Sequence, residues 1–327
     1  MRDSCPSDPT KAYRGLRVLV TGGTGFLGKS LVDRLLLLGC TVFVGVRENK
    51  KTDLFYLGEK PGVLHQFQYD LASPIEIDPD LFDSTLDLVF HLAAAGVHPN
   101  QSAKLVTMRD NLLGASGLME FSRACSVKRI VCAGSCFEYG SGERIGENSK
   151  LAPKTTYAKS KILCRELFDW FGQSYDIEMV YLRPFTIYGP GEARHRLISY
   201  VTESLMRNRP LSLTDGKQVR DFIFVEDVRD AFLAAGIHLK AEGGVFNVCT
   251  GQGYSVMSIA KMICGLLGSD MGLLKFGGLS RREADTDVLV GDPAHIWETL
   301  GWQSSVQIED GIQRTLETLL EDGFVKA

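Results

Sequence analysis

Through the first half of the chain, short and nearly continuous apolar runs alternate with longer amphipathic stretches. "LRVLVTG" (16–22) reads as a buried strand, Phe26 to Leu38 as a helix stopped by Gly39, and "CTVFVGVR" (40–47) as a second strand. "LHQFQYDL" (64–71), "LDLVFHLAA" (86–94), "KRIVCAGS" (128–135) and "IEMVYLRP" (177–184) supply further strands, with helices near 104–124 and 156–174. Strands this apolar have no water-facing side, and helices between them cover both faces of a parallel sheet. The first half is a doubly wound α/β domain.

After Pro184 the texture changes. "TIYGPGEARHR", "RPLSLTDGKQVRDFIF" and "GGLSRREADTDVLVGD" are rich in Gly, Arg and Asp, with helices between them. The chain thus divides into a loose polar tail (1–14), the doubly wound domain (15–184) and a smaller C-terminal α/β lobe (185–327), some of whose elements cross back. With 327 residues, 44% of them hydrophobic, it can bury one large core or two that share an interface.

The formal charge of -4, from 36 basic and 40 acidic side chains, gives no field for nucleic acid or an anionic membrane surface. Any polyanion must be met by local basic residues. No apolar run approaches the ~20 residues of a bilayer span, and "MRDSCPSDPTKAYRG" lacks the apolar core of a secretion signal. The eight cysteines (5, 40, 125, 132, 136, 164, 249, 264) form no C-x-x-C pair and have no histidine ladder nearby. They read as reduced, packed thiols, so no metal site and a cytoplasmic location are expected.

"VTGGTGFLG" (20–28) carries the first chemistry: Gly22, Gly25 and Gly28 follow the first strand and open a helix at Phe26 and Leu27. Glycines here permit positive φ, close approach of a phosphate and tight helix–sheet packing, and the helix amides face a pyrophosphate. A dinucleotide is expected. Its type depends on the end of the second strand, where NAD enzymes place a carboxylate on the ribose. Val46 and Arg47 stand there instead, with Lys50 and Lys51 beyond, which favours NADP; Glu48 keeps NAD as the alternative.

"TTYAKSK" (155–161) places Tyr157 and Lys161 four apart on one helix face, and Ser135 lies at the carboxyl end of the fifth strand. A phenol, with a pKa of about 10, is a poor acid or base near neutrality; lowering it by about three units needs about 4 kcal/mol of preferential phenolate stabilisation. The Lys161 ammonium and an oxidised nicotinamide's charge are the expected sources. Tyr157 then exchanges a proton with a substrate oxygen that Ser135 orients. Cys136 has no visible partner to lower its pKa and is expected only to line the site. His195, in "GEARHR", faces either the substrate or water.

With these residues in place the chain resembles the extended short-chain dehydrogenase/reductase family, in its nucleotide-sugar branch. The resemblance spans about Leu16 to about Leu320 and rests on "TGGTGFLG", "DLVFHLAA", "GSCFEYG", "YAKSK", "LRPFTIYGPGE", "VRDFIFVEDV" and "RREADTDVLVGDP", in that order. It implies a Rossmann domain with a small substrate lobe, and Ser135, Tyr157 and Lys161 as catalytic trio, the latter two also touching the cofactor. It places Asp70 and Leu71 by the adenine, Ala93 and Ala94 along the dinucleotide, and Pro184 near the nicotinamide amide. Arg220 and Arg282 clamp the phosphates of a nucleotide sugar, with Asp285 on a ribose hydroxyl. Members commonly dimerise through the helices near 104–124 and 156–174, where Leu112, Leu118, Phe121, Leu163, Leu167 and Phe171 permit a homodimer.

One departure bears on the reaction. Dehydratases of the family carry Asp-Glu directly after the Ser or Thr, where this chain has Cys136 and Phe137, both placed at the substrate; without the carboxyls, elimination of water loses its acid and base. Glu138 comes one position late and, on strand alternation, faces away from Phe137. The expected function is an NADPH-dependent 4-ketoreductase of a nucleotide-linked 4-keto-6-deoxy sugar, with Tyr157 as proton donor. The alternative is a 4-epimerase with tightly held NAD. A reductase of non-sugar ketones and a non-catalytic dinucleotide sensor rank below both.

Overall fold

In the computed structural model, which describes residues 9–47, 59–73, 85–97, 103–282 and 284–321, the chain begins α1 (Pro9–Tyr13), β1 (Arg17–Thr21), α2 (Phe26–Leu37), β2 (Thr41–Val46), β3 (Val63–Gln68), β4 (Leu88–His91). Next come α3 (Lys104–Ala124), β5 (Arg129–Ala133), β6 (Gly142–Ile145), α4 (Thr156–Tyr175), β7 (Glu178–Pro184), β8 (Thr186–Tyr188), α5 (Leu197–Met206) and β9 (Leu211–Ser212). It continues with β10 (Val219–Phe224), α6 (Val225–Ile237), β11 (Val245–Val248), β12 (Gly253–Ser255), α7 (Val256–Leu266), β13 (Leu274–Lys275), β14 (Val288–Gly291), α8 (Ala294–Leu300) and α9 (Ile308–Glu321).

Seven strands form one all-parallel sheet in the order β11-β7-β5-β4-β1-β2-β3. Side chains of a strand alternate between faces. Val18 and Val20 of β1 therefore pack with Leu31, Leu35, Val44 and Phe232 on the α2–α6 side. Leu19 packs with Phe43, Leu118, Ile130 and Phe168 on the α3–α4 side. The strand order reverses between β1 and β4, and sheets of this kind bind ligands in the crevice outside the carboxyl ends at that point. This is the Rossmann-type α/β fold.

The expected strand over 86–94 ends earlier, at His91. The backbone N–H and C=O of Ala95 go to the Asn111 side chain, at 2.7 and 3.2 Å, in place of a neighbouring strand. Likewise residues 136–138 leave β5 as one turn of 3-10 helix.

β6, β8, β10, β12 and β14 make a second sheet, flanked by the β9–β13 pair. Ile198, Val201, Ile259, Ile263, Ile312 and Leu316 build its core from α5, α7 and α9. β11 belongs by sequence to the C-terminal half but pairs with β7 in the large sheet. Buried Asp221 pins the junction: it accepts Thr250 N–H at 2.9 Å, the Thr250 hydroxyl at 2.7 Å, Gly251 N–H at 2.9 Å and Gly291 N–H at 3.3 Å. Among the described residues no helix is long and apolar enough to cross a membrane.

Candidate active site

The turn after β1 is compressed as only glycine allows. Gly22 has φ +74°, and a Cβ on it would lie 2.7 Å from Ala93 N; one on Gly28 would lie 2.1 Å from Gly22 O. Gly25 N–H donates to Gly22 O at 2.9 Å and caps α2 with no side chain. The first amides of α2, at Phe26, Leu27 and Gly28, are thus left for an anion. Ala93 and Ala94 run past this turn. Leu71 is tucked against α3, where a Cβ on Gly114 would strike it at 2.1 Å. Asp70 turns its carboxylate to Ala72 N–H at 3.0 Å, and Pro184 ends β7, buried. Arg47 is exposed just past β2, and Val46 beside it is buried. Glu48, Lys50 and Lys51 lie outside the described residues. These residues fit a dinucleotide across the crevice.

Two elements bring the trio together. The Thr155 hydroxyl caps α4 by accepting Ala158 N–H at 3.1 Å, which sets Tyr157 in the first turn and Lys161 one turn on. Lys161 Nζ donates to Ala133 O, at the end of β5, at 2.8 Å and stands 5.8 Å from the Tyr157 ring centre. The Ser135 hydroxyl accepts Phe137 N–H at 3.2 Å and stands near enough to the Tyr157 phenol to act on its pKa.

The electrostatics correct one expectation. The protein's own groups raise the Tyr157 pKa: burial is the largest cause, Glu138 and Cys136 add to it, and Ser135 and Arg196 oppose it. Burial also lowers Lys161, against Cys164, Cys132 and Glu138. Desolvation disfavours both charged forms, and a cation above the ring does not outweigh it. His91, bonded to Thr21 Oγ1 at 2.8 Å, is pushed down to about 3 by burial and then by Lys161, so it is a neutral tie between β1 and β4.

The 3-10 turn decides where the next residues point. Cys136 is 1% exposed and packs with Tyr139, Ile145, Phe185, Cys249 and Leu289, so its thiol is part of the junction between the sheets rather than of an open substrate wall. Burial pushes that thiol up to about 12, which leaves it inert. Phe137 is 45% exposed. Glu138 does face away from Phe137, through the turn and not through strand alternation, and pairs with Arg183 at 2.8 Å where both are fully enclosed.

Arg220 donates to Thr286 O at 2.8 Å and lies 3.8 Å from the Asp285 carboxylate. Arg282 is exposed, and its N–H meets Asp285 Oδ2 at 3.3 Å. Lys154 reaches Asp285 O at 3.3 Å. Arg220, Arg282 and Lys154 thus gather around Asp285. His195 is exposed in the loop before α5.

Sequence reasoning missed Asn111. Its amide holds Ala95 from both sides and donates to Ser160 Oγ at 2.8 Å, which ties the loop after β4 to the turn of α4 that carries Tyr157. The available signal was an asparagine within a helix, a position that disfavours it unless its side chain is used.

The fold and the site define an enzyme of the short-chain dehydrogenase/reductase type, in its nucleotide-sugar branch. Residues 18–249 match the NAD dependent epimerase/dehydratase family, and the chain belongs to that family. It is 29% identical over 319 residues to a UDP-glucose 4-epimerase of Mycolicibacterium smegmatis, covering 92% of this chain and 98% of the relative. A GDP-6-deoxy-D-talose 4-dehydrogenase of Aggregatibacter actinomycetemcomitans is 28% identical over 291 residues, covering 88% and 92%. Among solved structures, MoeE5 in complex with UDP-glucose and NAD matches with a TM-score of 0.83 at 28% identity, covering 94% of this chain and 99% of that one.

Proposed function

We propose that the protein moves a hydride at C4 of a nucleotide-linked hexose and works as an NAD-dependent 4-epimerase. One observation carries this: Ser135, Tyr157 and Lys161 converge beside the glycine cradle, while positions 136 and 137 hold a packed thiol and a phenyl ring where elimination would need two carboxyls. The names of the relatives weigh toward epimerisation and NAD, against the NADPH-dependent reduction expected from Arg47.

A dinucleotide held by the Gly22–Gly28 turn would supply the acceptor and then the donor for the C4 hydride. Tyr157 accepts the proton of the C4 hydroxyl and gives it back, Ser135 orients that oxygen, and Lys161 holds the end of β5 in place from α4. Arg220, with Arg282 and Lys154, meets the diphosphate, the local positive site that a mildly acidic chain needs. Asp285 is assigned to a ribose hydroxyl.

A 4-ketoreductase using NADP is the second reading. It is favoured by exposed Arg47 beside buried Val46, with no carboxylate among the described residues at the end of β2. Incubation with UDP-glucose, followed by NMR without added reductant, separates the two. UDP-galactose formation supports the epimerase; NADPH loss with a nucleotide-linked 4-keto-6-deoxy sugar, and no epimer, supports the reductase. Neither result with any nucleotide partner sinks both.

A homodimer through α3 and α4 belongs to the same proposal, with a changed set of contacts. Leu118 and Phe121 are buried in the chain's own core, so Leu105, at 84% exposure, Leu113 and Trp170, at 72%, are the apolar side chains offered on these helices. The seven described cysteines are buried free thiols, which supports a reducing, cytoplasmic setting.

A further inference from the structure

Beneath the Ser135–Tyr157–Lys161 group lies a buried acidic side chain that hydride transfer itself does not use. The turn Cys136–Glu138 swings Glu138 inward until it is fully enclosed. Its Oε1 accepts the Ser135 backbone N–H at 2.7 Å. The Tyr181 hydroxyl lies 3.4 Å from the same oxygen and donates to the Lys161 carbonyl at 2.8 Å. One carboxylate therefore touches Ser135 directly and the Lys161 turn of α4 through a single tyrosine. Gly134 admits this arrangement: a Cβ there would stand 2.6 Å from Glu138 Oε1 and 2.3 Å from the Tyr181 ring.

The other oxygen, Oε2, receives Arg183 Nε at 2.8 Å. Arg183 goes on to donate to the Tyr139 hydroxyl at 2.7 Å, and that hydroxyl donates to Asn247 Oδ1 at 2.9 Å. Burial pushes Glu138 above the usual carboxylate range, against Arg183, the Ser135 N–H and Lys161. Protonating it would leave the enclosed guanidinium without a counter-charge, a strongly unfavourable state, so the pair stays ionised.

We propose that Glu138 is a positioning residue for the candidate trio, a fixed anion that holds Ser135 and the Lys161 turn in register and sets the charge behind the Tyr157 phenol. This rests on the reading of Tyr157 as the group that exchanges a proton with the sugar: it takes the proton as C4 is oxidised and must hold it until the C4 carbonyl is reduced again. The groups around Tyr157 come from several elements: Glu138 and Cys136 from the turn favour the proton, while the Ser135 hydroxyl and Arg196, from the loop before α5, oppose it, and Lys161 stands over the ring.

The test is an ultraviolet titration of tyrosinate at saturating NAD, read as the difference between a protein and its Tyr157→Phe counterpart. Glu138→Gln keeps the shape and removes the charge, and should bring the onset of Tyr157 ionisation down by about one pH unit. Because that variant leaves Arg183 unpaired, Glu138→Gln/Arg183→Gln removes both charges and should move the onset the same way. Tyr181→Phe removes the hydroxyl that reaches both Lys161 O and Glu138 Oε1 but keeps the Glu138 charge; kcat with UDP-glucose should fall at unchanged KM, with the titration left in place. A folded charge variant whose titration coincides with the wild type overturns the electrostatic role, and an unchanged kcat in Tyr181→Phe overturns the positioning role. If no nucleotide sugar turns over, the functional reading fails by itself, while the phenol titration still decides the role of Glu138.

Discussion

In the proposed reaction Tyr157 is the residue on which the chemistry depends. Removing its hydroxyl in Tyr157→Phe should lower turnover by about 10²- to 10⁴-fold, the usual worth of a general acid–base group, without loss of dinucleotide binding. A ring-only role would leave the rate intact. His91 makes a second expectation, for stability. Its folded pKa of about 3 lies below the ordinary 6.5, so the folded state resists a proton that the unfolded chain accepts. The stabilisation is present above about pH 6.5 and is lost as pH falls toward 3. Within that window the urea midpoint should drop more steeply for the wild type than for His91→Gln, and equal slopes would contradict it. At this scale Ser135, Tyr157 and Lys161 were legible, because each type is tied to its task and sits at a strand or helix end. Glu138 was legible only as a side chain facing away, since the turn that buries it against Arg183, 45 positions distant, is set by tertiary contacts.

Among elements, the strand–turn–helix at 17–37 was read correctly from its apolar run and glycines. The close approach of Gly22 to Ala93 is a contact across 71 residues and needed the structure. Gly28→Ala places a methyl where only 2.1 Å separates it from Gly22 O, so the start of α2 must shift. Dinucleotide affinity should fall by at least about tenfold, for a loss of about 1.4 kcal/mol, with helix content by circular dichroism retained. At the end of β2, Arg47→Asp tests cofactor choice: preference, measured by calorimetric titration, should move from NADP toward NAD, and an unchanged ratio would show that Arg47 does not read the ribose. The strand over 86–94 was read too long for a related reason. Past His91 side chains of other elements take up the backbone: Ala93 N–H meets Thr21 Oγ1 at 3.4 Å and Ala95 N–H meets Asn111 Oδ1 at 2.7 Å.

The whole molecule depends on a junction that pattern alone does not reveal. "VRDFIFVEDV" stood out as a motif for a substrate contact at Arg220, yet two of its acids are structural. Asp221 gathers the β11–β12 turn and β14, and Asp227 accepts Ser305 N–H at 3.1 Å and Val306 N–H at 3.0 Å. Asp221→Ala strands four donors and should cost about 3 kcal/mol or more by urea unfolding, beyond the loss from a surface acid. The apolar α3–α4 surface belongs to this scale as well, and Trp170→Glu should shift a dimer toward monomer in sedimentation at micromolar concentration. The central claim, hydride transfer at C4 governed by Tyr157, is tested most directly with UDP-glucose deuterated at C4, mixed with the NAD-loaded protein and quenched early. Deuterium should appear on the nicotinamide ring with the wild type and not with Tyr157→Phe. Deuterium confined to the sugar, or lost to solvent as an epimer forms, would contradict it.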